Sequence, residues 1–550
     1  MVRQKYRRRR HFWANLRPTT LLLLIPILIS FVTFSYVGSG LYHYQLAREA
    51  AKRLQTHDWQ AADQMMTAAQ PNYRRKWGYY QIKPGQTLAE VAELLGITVG
   101  DIEKDNKGAL IPGATIKIRP IERPLTPFSQ SRGIGLVQVV EQPGRDALFV
   151  KQSYGQNSPV RVTIPELARR LHAYDALENR GDGTWRLNRT IAIEGDIRLD
   201  VTDKDLKRLE LRSDPNDIAA LTFDGGSVLF KGVTVTSVDS KTGRPDGVWE
   251  DGRAFVRMKN GRMDAIDSTF TWLGNGLPKV MNKQALEKNG VLKEGATYGF
   301  SYRVSPRNLG QEYTTGWVEN STFENNHFGA YTYGANGMLW KDNLFTHNDV
   351  YGLDPHDDSN NALVVGNRFL YNHKHGFIVS KRCNFNIIRN NTSVGNDLHG
   401  FMLHQDSAYN VLENNVAYGN HDNYAIFHSN WNIIRNNKSY VPRSTHIRVN
   451  DFAYSNYIRD NELYGSRRGI YLYGGTGSTY IAGNHFSGVR LPIQTKGATY
   501  TFFGDNSAPS FNYDIAPGDK FIFGENGIDR GVDDIPTAAD VESGDYATGN

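Results

Sequence analysis

The sequence predicts an all-β fold, a right-handed parallel β-helix, joined to a small α/β module and preceded by an N-terminal transmembrane helix. Three observations predict it. Asn recurs at Asn320, Asn343, Asn367, Asn391, Asn415, Asn437, Asn461 and Asn484, in steps of 22 to 24 residues. An aromatic or His residue followed by Gly keeps step with that series: Phe328-Gly329, Tyr351-Gly352, His375-Gly376 and His399-Gly400, with Tyr424-Ala425 as a weaker member. Between these markers lie short runs of β-branched and aromatic residues. A repeat of this length signals a solenoid, in which each unit buries its face against the next. Asn suits the turns because it tolerates left-handed backbone, and stacked Asn side chains can bond from coil to coil. A leucine-rich repeat would need regular Leu spacing, and a propeller blade about 40–50 residues.

The β-helix is expected over residues 186–505, followed by a C-terminal cap and tail over 506–550. Before it, residues 121–185 read as an adaptor or cap with a helix at 165–173. Residues 78–120 read as strand, helix, helix, strand, with Thr87 as an N-cap and Gly96 as a stop. Residues 42–77, rich in Ala and charge, read as a helical stalk. Residues 20–41 are apolar and long enough to cross a bilayer, which takes about 20 residues. Arg3, Lys5, Arg7, Arg8, Arg9, Arg10 and Arg17 precede them with no acid among residues 1–17. That asymmetry predicts a cytoplasmic head over residues 1–19 and an extracytoplasmic remainder, periplasmic in a Gram-negative cell. Removing those seven charges from the net +6 leaves −1 for the other 533 residues, so no nucleic-acid partner is expected. A single Cys, Cys383, excludes an intrachain disulfide.

Coils need no ionisable groups to pack, so a dense cluster of them is informative. Tyr351-Gly352-Leu353-Asp354-Pro355-His356-Asp357-Asp358 sets three carboxylates and a His in one coil. Counting one repeat forward places His356 over Ser380 and then His404. It places Asp357 over Lys381 and Asp358 over Arg382. Counting back places Tyr333 beside His356 and Tyr331 beside Asp354. Strand alternation gives His356, Asp354 and Asp358 one parity and Lys381 the other, unless a bulge re-aims the strand. A His oriented by a carboxylate can act as a base near neutral pH. An apposed cation can neutralise a substrate carboxylate and ease removal of the proton beside it. His375 and His399, repeating in step, read as structural stack members.

The run Tyr351 to Asp357 resembles the Y-G-x-D-P-H-[DE] signature of mannuronan C5-epimerases. Thr315-Gly316-Trp317, Phe328 to Tyr333 and Lys374 to Ser380 extend the likeness across residues 220–490. The resemblance implies conversion of mannuronate to guluronate in an anionic polyuronate such as alginate; no cofactor and no metal-ligand set is read from the sequence. It implies His356 as the base, supported by Asp354, with Tyr351 as a proton donor from the opposite face. Where the family has an Arg after a Val-Ser pair, this chain has Lys381, with Arg382 one place later, so either can neutralise the uronate. Asp357, Asp358, Tyr331, Tyr333 and His404 are the remaining substrate-binding candidates. Expulsion of the 4-linked sugar from the same intermediate would make the site a polyuronate lyase. A non-catalytic glycan-binding wall protein is the reading from another class. The module at 79–119 resembles a LysM unit, through its Pro-Gly-Gln-Thr-Leu start and Ile-Pro-Gly ending. That likeness implies binding to peptidoglycan or another N-acetylglucosamine glycan. A polymer-synthesis or export complex is a further expected partner.

Overall fold

The computed structural model describes residues 78–544, apart from 83–84, 109, 143–146, 154–158, 216, 276–297, 305–312 and 530–533. The expected head, membrane segment and stalk lie outside the described residues. No helix among the described residues is long and apolar enough to cross a membrane.

The N-terminal module is a strand–helix–helix–strand unit. Gly78–Gln81 pairs antiparallel with Thr115–Ile118. Helix Leu88–Leu95 starts at a capping box, in which Thr87 Oγ1 accepts from the Glu90 N–H while the Glu90 carboxylate accepts from the Thr87 N–H. It stops at Gly96, whose φ of 63° suits a residue without Cβ. Thr98 and Asp101 repeat the capping device for Val99–Asp105. Val91, Leu95, Ile102, Ile116 and Ile118 form a small core of their own. Two buried arginines fasten this module to the larger body. Arg262, fully buried, pairs with Asp264 at 2.7 Å and donates to the carbonyls of Leu94 at 2.9 Å and Arg123 at 2.7 Å. Arg198 pairs with Glu93 at 2.8 Å.

The body is a parallel β-helix with three strands in each regular coil, such as Leu339–Lys341, Leu344–Thr346 and Leu353–His356. One face is a 14-stranded parallel ladder running from Val160–Thr163 to Phe521–Phe523. The other two faces are joined into one sheet, because Glu462–Gly477 and His485–Thr499 run through both. The parallel ladder is longer than the repeat predicts. In the sheet of the other two faces, parallel pairing begins where Ala147–Gln152 meets Thr190–Glu194 and reaches Gly527–Ile528. The early coils carry no Asn markers, so the repeat could not reveal them. Helix Ile164–Leu171 packs Leu167 and Leu171 against the first coils. Near the other end, helix Ala538–Ser543 lies back along the body and buries Val541 beside Val394, Val416 and Tyr440.

Inward residues stack from coil to coil: Phe270, Phe323, Phe345 and Phe369 lie ring on ring at 5.2, 4.8 and 5.2 Å. The corners carry Asn ladders. Asn343, Asn367, Asn391, Asn415, Asn437, Asn461 and Asn484 form the expected one, each Nδ2 donating to the Oδ1 of the next at 2.9–3.0 Å. Asn320 is not in it. Its place is taken by Ser321, whose N–H donates to Asn343 Oδ1, and Asn320 is an exposed left-handed turn residue. Two further ladders run through Asn348–Asn372–Asn396–Asn420 and Asn386–Asn410–Asn432–Asn456. The Gly series serves close packing between coils. A Cβ on Gly352 would stand 2.5 Å from the Gly376 carbonyl oxygen. Its fifth member is Asp422-Asn423 rather than Tyr424-Ala425, because His399 pairs with Asp422 and Phe401 with Tyr424.

Candidate active site

The third face carries the cluster. Its strands include Phe300–Arg303, Ala330–Tyr333, Leu353–His356, Phe377–Ser380, His399–His404 and Asp422–Phe427. Alternation sends Leu353, Phe377, Val379, Phe401 and Leu403 into the core and their neighbours outward. The register follows the repeat: Tyr331 pairs with Asp354, Tyr333 with His356, His356 with Ser380, and Ser380 with His404.

Asp357, Asp358, Lys381 and Arg382 all have left-handed backbones, with φ of 35°, 60°, 63° and 61°. This double left-handed corner ends each strand, so period-two alternation stops at His356 and Ser380. Asp357 is thereby brought back onto the ring that precedes it. His356 Nδ1 lies 2.5 Å from Asp357 Oδ2. The partner expected for His356 was Asp354, so the placement differs. Asp354 is two residues away on the same outward face, 2% exposed, and its Oδ1 has no hydrogen-bond partner.

The two cations, indistinguishable by sequence, have different surroundings. The Arg382 guanidinium is committed to carboxylates: Nη2 lies 3.0 Å from Asp357 Oδ1 and 2.9 Å from Asp358 Oδ2. Those bonds raise its pKa further above the ordinary arginine range. Lys381 is exposed and makes no ion pair among the described residues.

Burial lowers the pKa of His356 below 6.5, against the opposing pull of Asp357, so the ring is neutral at physiological pH. With Nδ1–H donating to Asp357, the lone pair sits on Nε2. Burial, reinforced by the Asp357 charge, raises the Asp354 pKa well above the carboxylate range. Burial pushes the Tyr351 pKa up to about 12. Tyr331 stacks on Tyr298 at 3.5 Å and stands 5.6 Å from the His356 ring. Tyr333 lies beneath the Arg303 guanidinium at 5.1 Å. His404 donates or accepts with Ser380 Oγ at 2.9 Å, and burial pushes its pKa down to about 4.

Tyr351 belongs to a column of rings along the edge of this face. Phe328, Tyr351, His375 and His399 succeed one another at 5.3, 4.8 and 4.9 Å. The face therefore has Tyr351 on one side of Asp354 and His356 on the other. Sequence reasoning missed Tyr298 and Arg303. Arg303 lies 30 residues before Tyr333, and the turn that contains it spans 53 residues, from Thr269 to Thr322, so the repeat could not be counted through it. His399, His421 and Asp422 also bring side-chain N and O atoms within 4.8 Å of one another.

The family model of the right-handed β-helix region matches residues 307–417 and 356–508. A mannuronan C5-epimerase of Pseudomonas aeruginosa is 28% identical over 227 residues, which cover 40% of this chain and 36% of that protein. A second mannuronan C5-epimerase, from Azotobacter vinelandii, is 40% identical over 50 residues, 9% of this chain and 10% of that one. The chain thus spans about a third or less of the length of these curated relatives. The crystal structure of the periplasmic alginate epimerase AlgG superimposes with a TM-score of 0.54 at 18% identity, over 70% of this chain and 85% of that one. The chain is similar in sequence to mannuronan C5-epimerases and has the right-handed parallel β-helix fold.

Proposed function

We propose that this chain is a C5-epimerase acting on mannuronate residues of alginate or a closely related polyuronate. The observation that carries the reading is the His356–Asp357 pair, with the charge of Lys381, which makes no ion pair among the described residues, bearing on both His356 and Asp354. A uronate seated over Asp354 has its carboxylate toward Lys381. The Nε2 lone pair of His356 takes the C5 proton, and the electron pair moves into the carboxylate as an enolate. Lys381 stabilises that charge, and Asp354, held neutral, donates a hydrogen bond to it. Tyr351, or a water beside it, returns a proton from the opposite side, inverting C5. Asp357 orients the base, and Arg382 orients Asp357. The similarity to enzymes named mannuronan C5-epimerase supports the substrate class.

Residues 20–41 anchor the chain in this reading, and the β-helix lies on the extracytoplasmic side, periplasmic in a Gram-negative cell. The module at 78–120 serves as a LysM-like glycan contact, and a polymer-synthesis or export assembly is the context in which a tethered epimerase meets its substrate. Pull-down on insoluble peptidoglycan tests the module.

Proton NMR of poly-mannuronate incubated with the chain in D2O tests the activity. Guluronate signals with deuterium at C5 are expected. An unsaturated product absorbing in the ultraviolet would make the site a lyase, and intact polymer without exchange would overturn the assignment.

A further inference from the structure

Beyond the reacting centre, the outward residues of the site face form a column in register. Asp354 is followed, one per coil, by Ile378, Met402, Ala425, Arg448 and Tyr471. Ile378, Met402 and Ala425 are an apolar cluster with Tyr351 and Phe427 beside it. At its far end the chemistry changes. Arg448 Nη2 donates to His399 Nε2 at 2.8 Å, and Nη1 lies 3.2 Å from Asp422 Oδ2. In the next coil, Arg468 lies over the Tyr471 ring at 5.1 Å. The Nε atoms of Arg448 and Arg468 are both buried without a hydrogen-bond partner. Two guanidinium groups thus stand on adjacent coils at this end of the face, where Asp422 pairs with Arg448 and no ion pair is made by Arg468 among the described residues.

The geometry points to a second carboxylate site at Arg448 and Arg468, which binds the uronate four sugars beyond the reacting one. This inference rests on the polyuronate reading above. Four coils at about 4.8 Å place Arg448 about 19 Å from Asp354. An extended 1,4-linked uronan advances by a similar length per sugar. Successive carboxylates of a twofold chain point to opposite sides, so an even offset returns one to the side of the reacting carboxylate. The residues in register between them, Ile378, Met402 and Ala425, are uncharged and buried, so this stretch of the face offers no competing charge to the sugars between. Asp422 and His399 are positioning residues that fix the Arg448 fork. The same bond argues against a metal at this cluster: His399 accepts from Arg448 on Nε2, so its proton sits on Nδ1, the atom a metal would need.

Calorimetric titration of the full chain with tri-mannuronate and octa-mannuronate tests the site, and needs no turnover. The wild-type chain is expected to favour the octamer. That preference is expected to fall about tenfold in Arg448→Met and in Arg468→Met, the loss of one charge-assisted carboxylate contact. Arg468→Met leaves the Asp422 pair intact, so a folding defect in Arg448→Met does not decide the result. A His356→Ala chain keeps the octamer preference, which separates this site from the catalytic reading. An octamer preference unchanged in both Arg variants overturns the inference. So does saturable Zn2+ binding that His421→Ala removes.

Discussion

His356 and Asp357, adjacent in the chain, hold each other across 2.5 Å because the left-handed backbone of Asp357 folds its carboxylate back onto the preceding ring. A base and its orienting carboxylate are usually brought together by distant parts of a fold. Here one corner supplies both, and Arg382 of the next coil fixes the carboxylate. His356→Ala is expected to lower C5 exchange by ~10²–10⁴-fold while leaving the fold intact, since general acid–base catalysis contributes about that much. Deuterium incorporation and far-UV circular dichroism check the two halves.

The pH profile follows from the ring's surroundings. Burial lowers the His356 pKa below 6.5, and the neutral ring is the base, so the acid limb of the rate should fall below pH 6.5. Asp357→Ala removes the charge that favours the imidazolium and should move that limb to lower pH. Arg382→Met removes an opposing charge and should move it upward. Rate–pH curves of the three proteins test the order.

Lys381 and Arg382 should separate by kinetics. Lys381→Met is expected to cut kcat by ~10²–10³-fold, the usual cost of losing one electrostatic donor to a developing anion. Lys381→Arg should recover part of it. Arg382→Met acts through Asp357 and should cost less. Equal losses in the two Met variants would reassign the neutraliser.

Asp354 makes stability depend on pH. Its folded-state pKa lies well above the ordinary 3.8, so the folded chain holds a proton that the unfolded chain releases. Stability from this residue therefore declines as pH rises above 3.8 toward the folded-state value. Asp354→Asn should raise the melting temperature at neutral pH and flatten its pH dependence, while lowering activity. Thermal melts across pH 5–9 provide the check.

The Asn ladder should be unequal along its length. Asn391 donates to the carbonyls of Val364 and Arg389 and to Asn415 Oδ1, and accepts from Asn367. Asn391→Ala strands those groups and should cost ~1–3 kcal/mol. Asn320→Gly keeps a left-handed turn at an exposed corner and should stay within ~0.5 kcal/mol. Urea unfolding of both variants tests the contrast.

The sequence by itself determined the coil period and hence the neighbours along each face. Stacking forces residues one repeat apart into contact, so Tyr333, His356, Ser380 and His404 could be aligned by counting. It also contained the Thr87 and Gly96 helix limits, because caps are local chemistry. Only the tertiary structure decided what happens at the corners. Period-two alternation holds for extended backbone and fails at the left-handed pairs 357–358 and 381–382. Those corners gave His356 the Asp357 partner, bound Arg382 to two carboxylates and left Lys381 without an ion pair among the described residues. Coils of irregular length likewise hid Arg303, since a count along the chain loses register wherever a loop leaves the solenoid.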